Sequence, residues 1–141
     1  MNPSQAVSVL NRLLQILSRS LPMYLLDARP WTRREDLPIE GAMARVVADQ
    51  RTYSQRVIRA IVARGGRPDP GPFPTWFTSA NDIEIDYLQQ RLIECQRDDV
   101  QALRQCVEVL SSEPSLQRLA DEALGNAQGH LDILEEMTKH E

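Results

Sequence analysis

The stretch GGRPDPGPFPTWFTSA, Gly65 to Ala80, decides how the rest of this chain can fold. Its prolines Pro68, Pro70, Pro72 and Pro74 cannot continue a helix and favour an extended path. Before it, a helical pattern runs from about Pro38 to Arg64, with Met43, Val46, Val47, Val57, Ile58 and Ile61 recurring at three- and four-residue steps. Pro38 suits its first turn, and Gly65-Gly66 its stop. After the linker, a second long pattern starts near Asn81, where Asn81 and Glu84 form a capping box, and continues to about Leu110. A helix of ~27 residues is ~40 Å long. A proline-rich chain at ~3.1 Å per residue covers ~45–50 Å over the linker. The linker can therefore return along a whole bundle, which an antiparallel neighbour would not require. The alternative is a surface loop on an up-down bundle.

Two more helices flank this centre. The first runs from about Gln5 to Ala28, with Val7, Leu10, Leu13, Leu14, Leu17, Leu21 and Leu25 inward and a bend at Pro22. Ser112 and Pro114 introduce the last, from about Ser115 to Thr138. The connections at 29–37 and 111–114 are short, which makes helices one and two antiparallel, and likewise three and four. No strand-like alternation of useful length occurs. The expectation is one all-α domain over residues 1–141, two antiparallel hairpins joined by a crossover at about 65–80.

Composition narrows the function classes. The chain is 42% apolar and 26% charged, with a net charge of −4 and its Lys and Arg scattered among acids. No basic stripe predicts nucleic-acid binding. No basic leader with a cleavage site opens the sequence, and no apolar run approaches the ~20 residues of a membrane span. Cys95 and Cys106 lie eleven residues apart on one helical pattern. Their backbones are then ~16 Å apart, beyond disulfide reach. Both read as reduced core cysteines of a cytoplasmic protein. No phosphate-cradling glycine loop, Cys/His cluster or nucleophile elbow is present.

The apolar stripes carry polar exceptions. Gln50 and Tyr53 fall on the stripe of the second helix, and an unanswered buried amide costs about 1–3 kcal/mol. Asp99 falls on the stripe of Leu92, Cys95, Ala102 and Cys106, so it is expected inward with a partner, while Asp98 is solvated. For His130 the choices are a buried pairing with Tyr53, Gln50 or Asp99, a single-metal site with Asp99 and Tyr24, or exposure. Tyr24 is expected to pack with its hydroxyl bonded inside. Glu136 and His140 read as a surface pair. Trp31, Phe73, Trp76 and Phe77, four of the seven aromatic residues, lie in the connections. They either cover the bundle ends and groove or form a partner surface.

Three stretches resemble the ferritin-like superfamily, and bacterioferritins in particular. LNRLLQILSRSLPMYLLDAR, Leu10 to Arg29, is similar to that family's opening helix. DQRTYSQRVIRAI resembles its second helix, of the form DE-x-x-H-A-x-R. AQGHLDILEEM, Ala127 to Met137, is similar to its EEGH-[IL]-D-x-L-E motif. The resemblance implies a four-helix bundle with a di-iron site of about six ligands, carboxylates from every helix and a His from each of two Glu-x-x-His turns. Carried over one position at a time, the opening Glu falls on Leu17, and the second helix's Glu and His fall on Gln50 and Tyr53. The third-helix ligand falls on Gln96 or Asp99. Glu94, rotated by ~200° from Leu92, should face away. The fourth helix's Glu falls on Ala127, and its His is kept as His130. The haem-binding Met of bacterioferritins falls on Arg51, so haem is not expected.

A neutral amide and a phenol bring no negative charge, and a low-dielectric core cannot hold unbalanced dications. The resemblance thus implies a bundle with a dismantled di-iron centre, no cofactor, and a structural or protein-interaction role, as a dimer or with a protein partner. The alternative is an iron-binding, iron-storage or ferroxidase-type protein with a displaced site, for which His130 and Asp99 are the remaining candidate ligands. A small apolar or organic ligand at the bundle centre is a third reading.

Overall fold

The computed structural model describes residues 1–28, 38–74, 77 and 85–139. Among them there is no strand. Five α-helices carry the fold: α1 (Pro3–Ser18), α2 (Leu21–Ala28), α3 (Pro38–Ala63), α4 (Ile85–Val109) and α5 (Pro114–Lys139), with a 3-10 turn at Leu110–Ser112 between the last two. The protein is an all-helical bundle. Trp31, Trp76, His140 and the Asn81/Glu84 capping box lie outside the described residues.

The amino-terminal region departs from the single bent helix expected of it. It is two helices, broken at Arg19-Ser20 rather than bent at Pro22. Ser20 precedes α2 and its Oγ accepts a hydrogen bond from the Met23 amide at 3.2 Å, satisfying a donor that the new helix leaves open. Pro22 then falls in the first turn, where its missing N–H costs nothing. At the start of α1, Asn2 and Gln5 exchange side-chain to backbone bonds of 2.8 and 2.9 Å, a complete capping box.

The apolar stripes bury as their spacing demands. Leu10, Leu13, Leu14, Leu17, Leu21 and Leu25 meet Met43, Val57, Ile61, Leu92, Leu103 and Leu134 in one core. Ile58 is the exception on α3: expected inward, it is 37% exposed. The α3 helix stops at a Schellman turn. Gly65 takes φ +76°, its amide donates to the Val62 carbonyl, and the Gly66 amide donates to that of Ile61.

From there the chain follows α1. Gly66 lies so close to Val7 that a Cβ on it would sit 2.6 Å from the valine Cγ1. Asn11 then donates to the Arg67 carbonyl at 3.1 Å and accepts from the Asp69 amide at 2.8 Å. Gln15 donates to the Asp69 carbonyl at 3.3 Å. The Phe73 and Phe77 rings meet that of Tyr24, centroids 5.4 and 5.6 Å away. Residues 66 to 74 and Phe77 are thus laid against residues 7 to 24, with Phe73 and Phe77 packed on Tyr24 as in one of the two aromatic readings expected.

Helix packing is consistently antiparallel. Ser18 and Ser20 of the amino-terminal segment face Ser54 and Gln50 of α3, and Arg12 of α1 bonds Gln105 of α4. Asp49 and Arg56 of α3 reach His130 and Glu122 of α5. On the remaining side, Gln96, Arg97 and Val107 of α4 reach Ala127, Glu135 and Gln117 of α5. Helices α1 and α5 each pack against both α3 and α4.

Candidate functional site

The middle of the bundle closes on a cavity of only about 10 Å³, lined by Leu17, Gln50, Gln96, Asp99, Ala127 and His130 among others. Such a space holds one water at most. Five of the six positions that the family resemblance singles out therefore come together around one point, with Asp99 beside them. Tyr53 does not line it. It lies half-buried on the flank of α3, its ring covered by the Arg56 guanidinium at 5.4 Å, and its hydroxyl makes no hydrogen bond among the described residues.

Gln50 is answered by a residue that the stripe alone does not reveal. The Ser20 hydroxyl donates to Gln50 Oε1 at 2.7 Å while its oxygen caps α2. The break in the amino-terminal helix and the polar residue on α3 are thus parts of one arrangement. Gln96 is 2% exposed and donates through Nε2 to the Ala127 carbonyl at 3.1 Å. Its Oε1 is buried and accepts nothing among the described residues.

His130 faces none of the partners expected for it. Its Nε2 lies 2.7 Å from Oδ2 of Asp49, and the His130 side chain is only 11% exposed. Since an ionised carboxylate can only accept, the imidazole donates. Asn126 donates to the same oxygen at 2.8 Å. The Asn126 bond, outweighing burial and joined by His130, holds the Asp49 carboxyl below the usual carboxylate range. Asp49 precedes Gln50 and stands at the α3–α5 seam, reachable only once α5 packs there.

Asp99 is inward, as its stripe predicts, but the expected partner is missing: its carboxylate makes no hydrogen bond or ion pair among the described residues. Burial, reinforced by neighbouring Asp98 and partly offset by Arg19, pushes its pKa up to about 7. Asp98 is exposed, and so is Glu94, which pairs with Arg91 at 2.5 Å on the outer face. Both cysteines are free. Burial pushes Cys95 up to about 11 and raises Cys106, so neither is a ready thiolate.

As a donor set for two iron ions this centre does not fit. The side chains of Leu17 and Ala127 offer no ligand atom, Gln50 and Gln96 offer neutral amides, and Asp99 is the lone carboxylate lining the cavity among the described residues. Among the described residues no three His, Cys, Asp or Glu converge as a metal site. No described helix is long and apolar enough to cross a membrane. No protein-family model matches this chain, and no curated protein matches it.

Proposed function

We propose that this chain is a ferritin-like bundle whose di-iron centre has been replaced by a packed polar core, and that it serves a structural or protein-interaction role rather than a catalytic one. The connectivity part of this reading is supported by the path of residues 66–74 and Phe77 beside residues 7–24, and by α1 and α5 each lying against both α3 and α4. Those are the relations that two antiparallel hairpins joined by a full-length crossover require.

One observation carries the functional part: among the described residues, the cavity where a metal pair would sit is lined by a single carboxylate, Asp99. Two ferrous ions bring a charge of +4, and a core that cannot offset it excludes them. The glutamine amides there are engaged with the Ser20 hydroxyl and the Ala127 carbonyl, and the imidazole is turned to Asp49. The partner in this reading is a second copy or another protein. Ile58 and Val62, one turn apart on α3 and 37% and 58% exposed, support a helical contact face.

The test is anaerobic addition of ferrous ion followed by oxygen, read by absorbance, with metal analysis of untagged protein alongside. The expected result is no oxo-bridged band and substoichiometric metal. A band that saturates at a pair of irons per chain would overturn the proposal.

A further inference from the structure

We propose that the groove between α1 and α4 is a binding site for a small zwitterionic organic molecule of the amino-acid type, its ammonium held by Asp98 and Asp99 and its carboxylate by Arg12 and Arg19. This site opens on the flank of the bundle, between α1 and α4, and shares Ile16 and Asp99 with the central cavity. The half-open groove offers about 340 Å³, within the ~300–1,000 Å³ typical of small-molecule pockets. One face of α1 presents Arg12, Ile16 and Arg19 to it, and one face of α4 presents Asp98, Asp99 and Ala102. The α1 set follows three- and four-residue steps, and on α4 Ala102 stands three and four residues after the adjacent Asp99 and Asp98. Phe77, brought back by the crossover, and Leu21 close the end.

The charges are what select the ligand. Two guanidinium and two carboxylate groups line one cavity, yet no ion pair joins them among the described residues. Arg12 is engaged with Gln105 at 2.7 Å. The Arg19 side chain is laid toward the crossover, its Nη1 3.3 Å from where a Gly71 Cβ would stand. Asp99 feels the Arg19 charge and has no hydrogen-bond partner among the described residues. The helix backbones hold these opposite charges apart around a space that one molecule can fill. A simple amine would gain the aspartates and be repelled by the arginines, and a simple acid would meet the reverse. A molecule with both signs satisfies both ends, and Ile16, Ala102 and Leu21 offer apolar wall to its hydrocarbon part.

The experiment is titration of the 15N-labelled full chain with the common free amino acids, each beside its decarboxylated and its deaminated analogue. At least one amino acid should give saturable shifts centred on residues 12–21 and 95–102, with both analogues weaker by about tenfold or more. Asp99→Asn and Arg19→Gln, checked for native helical circular dichroism, should each weaken that binding by about tenfold, while Glu94→Gln on the outer face leaves it unchanged. If Asp99→Asn does not fold, Arg19→Gln and Arg12→Gln carry the test. The proposal is overturned if no amino acid saturates these residues up to about 10 mM, well above a weak ~1 mM Kd. It is equally overturned if a single-charge analogue binds as well, or if the folded variants bind like the parent.

Discussion

His130 and Asp49 meet across the α3–α5 seam at 2.7 Å, and this bond, not any contact inside the central cavity, fixes the imidazole of the bundle core. The carboxylate that receives it is 43% exposed and also receives Asn126. A buried donor is thereby answered by a group that stays partly in water, which spares the core a second buried charge.

Removing that acceptor should be measurable but modest. Asp49→Ala is expected to cost about 0.5–1.5 kcal/mol by urea unfolding, at the lower end because water can reach the site. The folded carboxyl titrates below its ordinary value. Its contribution is therefore present above the unfolded pKa near 3.9 and is lost as pH falls through the lower folded value. The difference in stability between the parent and Asp49→Asn should shrink as pH falls below about 4. A gap that instead widens as pH falls from about 4 to about 2 would contradict the assignment.

Asp99 carries the opposite sign. Its folded pKa of about 7 lies above that of the unfolded chain. The native state holds the proton more tightly between about pH 4 and 7, so ionisation destabilises it as pH rises through that window. Asp99→Asn removes the penalty. The variant should match the parent near pH 4 and exceed it by about 1–2 kcal/mol at pH 8, the shift being discounted for partial solvent access. Paired urea midpoints at the two pH values check this, and a variant less stable at pH 8 would refute it.

The Ser20 hydroxyl has two duties, capping α2 and donating to Gln50. Ser20→Ala should cost about 1–2 kcal/mol, since it removes a cap and leaves a buried acceptor unanswered. Gln50→Leu keeps the cap and deletes the acceptor, and should cost less than Ser20→Ala in the same thermal melts. The reverse order would show that Gln50 does something other than receive this bond.

Much of this was legible in the sequence and some was not, for identifiable reasons. The leucine stripe of the first helical region, with Leu17, and the inward Gln50 follow from three- and four-residue steps, which survive any choice of neighbours, whereas Gln96 and Ala127 were pointed to only by the family resemblance. Asp49 and Tyr53 flank the stripe of α3, and their surroundings depend on where α5 and the Arg56 side chain settle. The Ser20 cap was written in the order Ser20-Leu21-Pro22, a start signal hidden by an uninterrupted leucine pattern on either side. Asn11, which pins Arg67 and Asp69, gave no local signal, because its partners lie 56 and 58 residues away.

That pinning makes the crossover sensitive at one point. A Cβ on Gly66 would meet Val7 Cγ1 at 2.6 Å and Ile61 Cγ2 at 3.0 Å, whereas one on Gly41 meets nothing within 4 Å. Gly66→Ala should destabilise by about 1–3 kcal/mol, as overpacking does. Gly41→Ala, within α3, should stabilise slightly through helix propensity. Equal thermal midpoints for the two variants would mean that the linker does not press on α1.

Gln96 offers the sharpest contrast between a packed core and a surviving site. Its Nε2 donates to the Ala127 carbonyl, and its Oε1 is buried without a partner among the described residues. One ordinary hydrogen bond contributes about 1 kcal/mol, while an unanswered buried acceptor costs about 1–3 kcal/mol. Replacing the whole amide by an aliphatic of similar volume discards both, so Gln96→Leu should be neutral or up to about 1 kcal/mol more stable. Gln96→Glu works the other way. It sets a second carboxyl on the cavity that Asp99 already lines, and two such groups cannot both ionise cheaply in a space that admits one water at most. That variant should lose about 1–3 kcal/mol at pH 8 and recover most of it near pH 4, where both carboxyls are protonated. Urea unfolding of the pair at the two pH values reads the difference. A costly leucine alongside a harmless glutamate would show that the centre of this bundle still wants anionic oxygen.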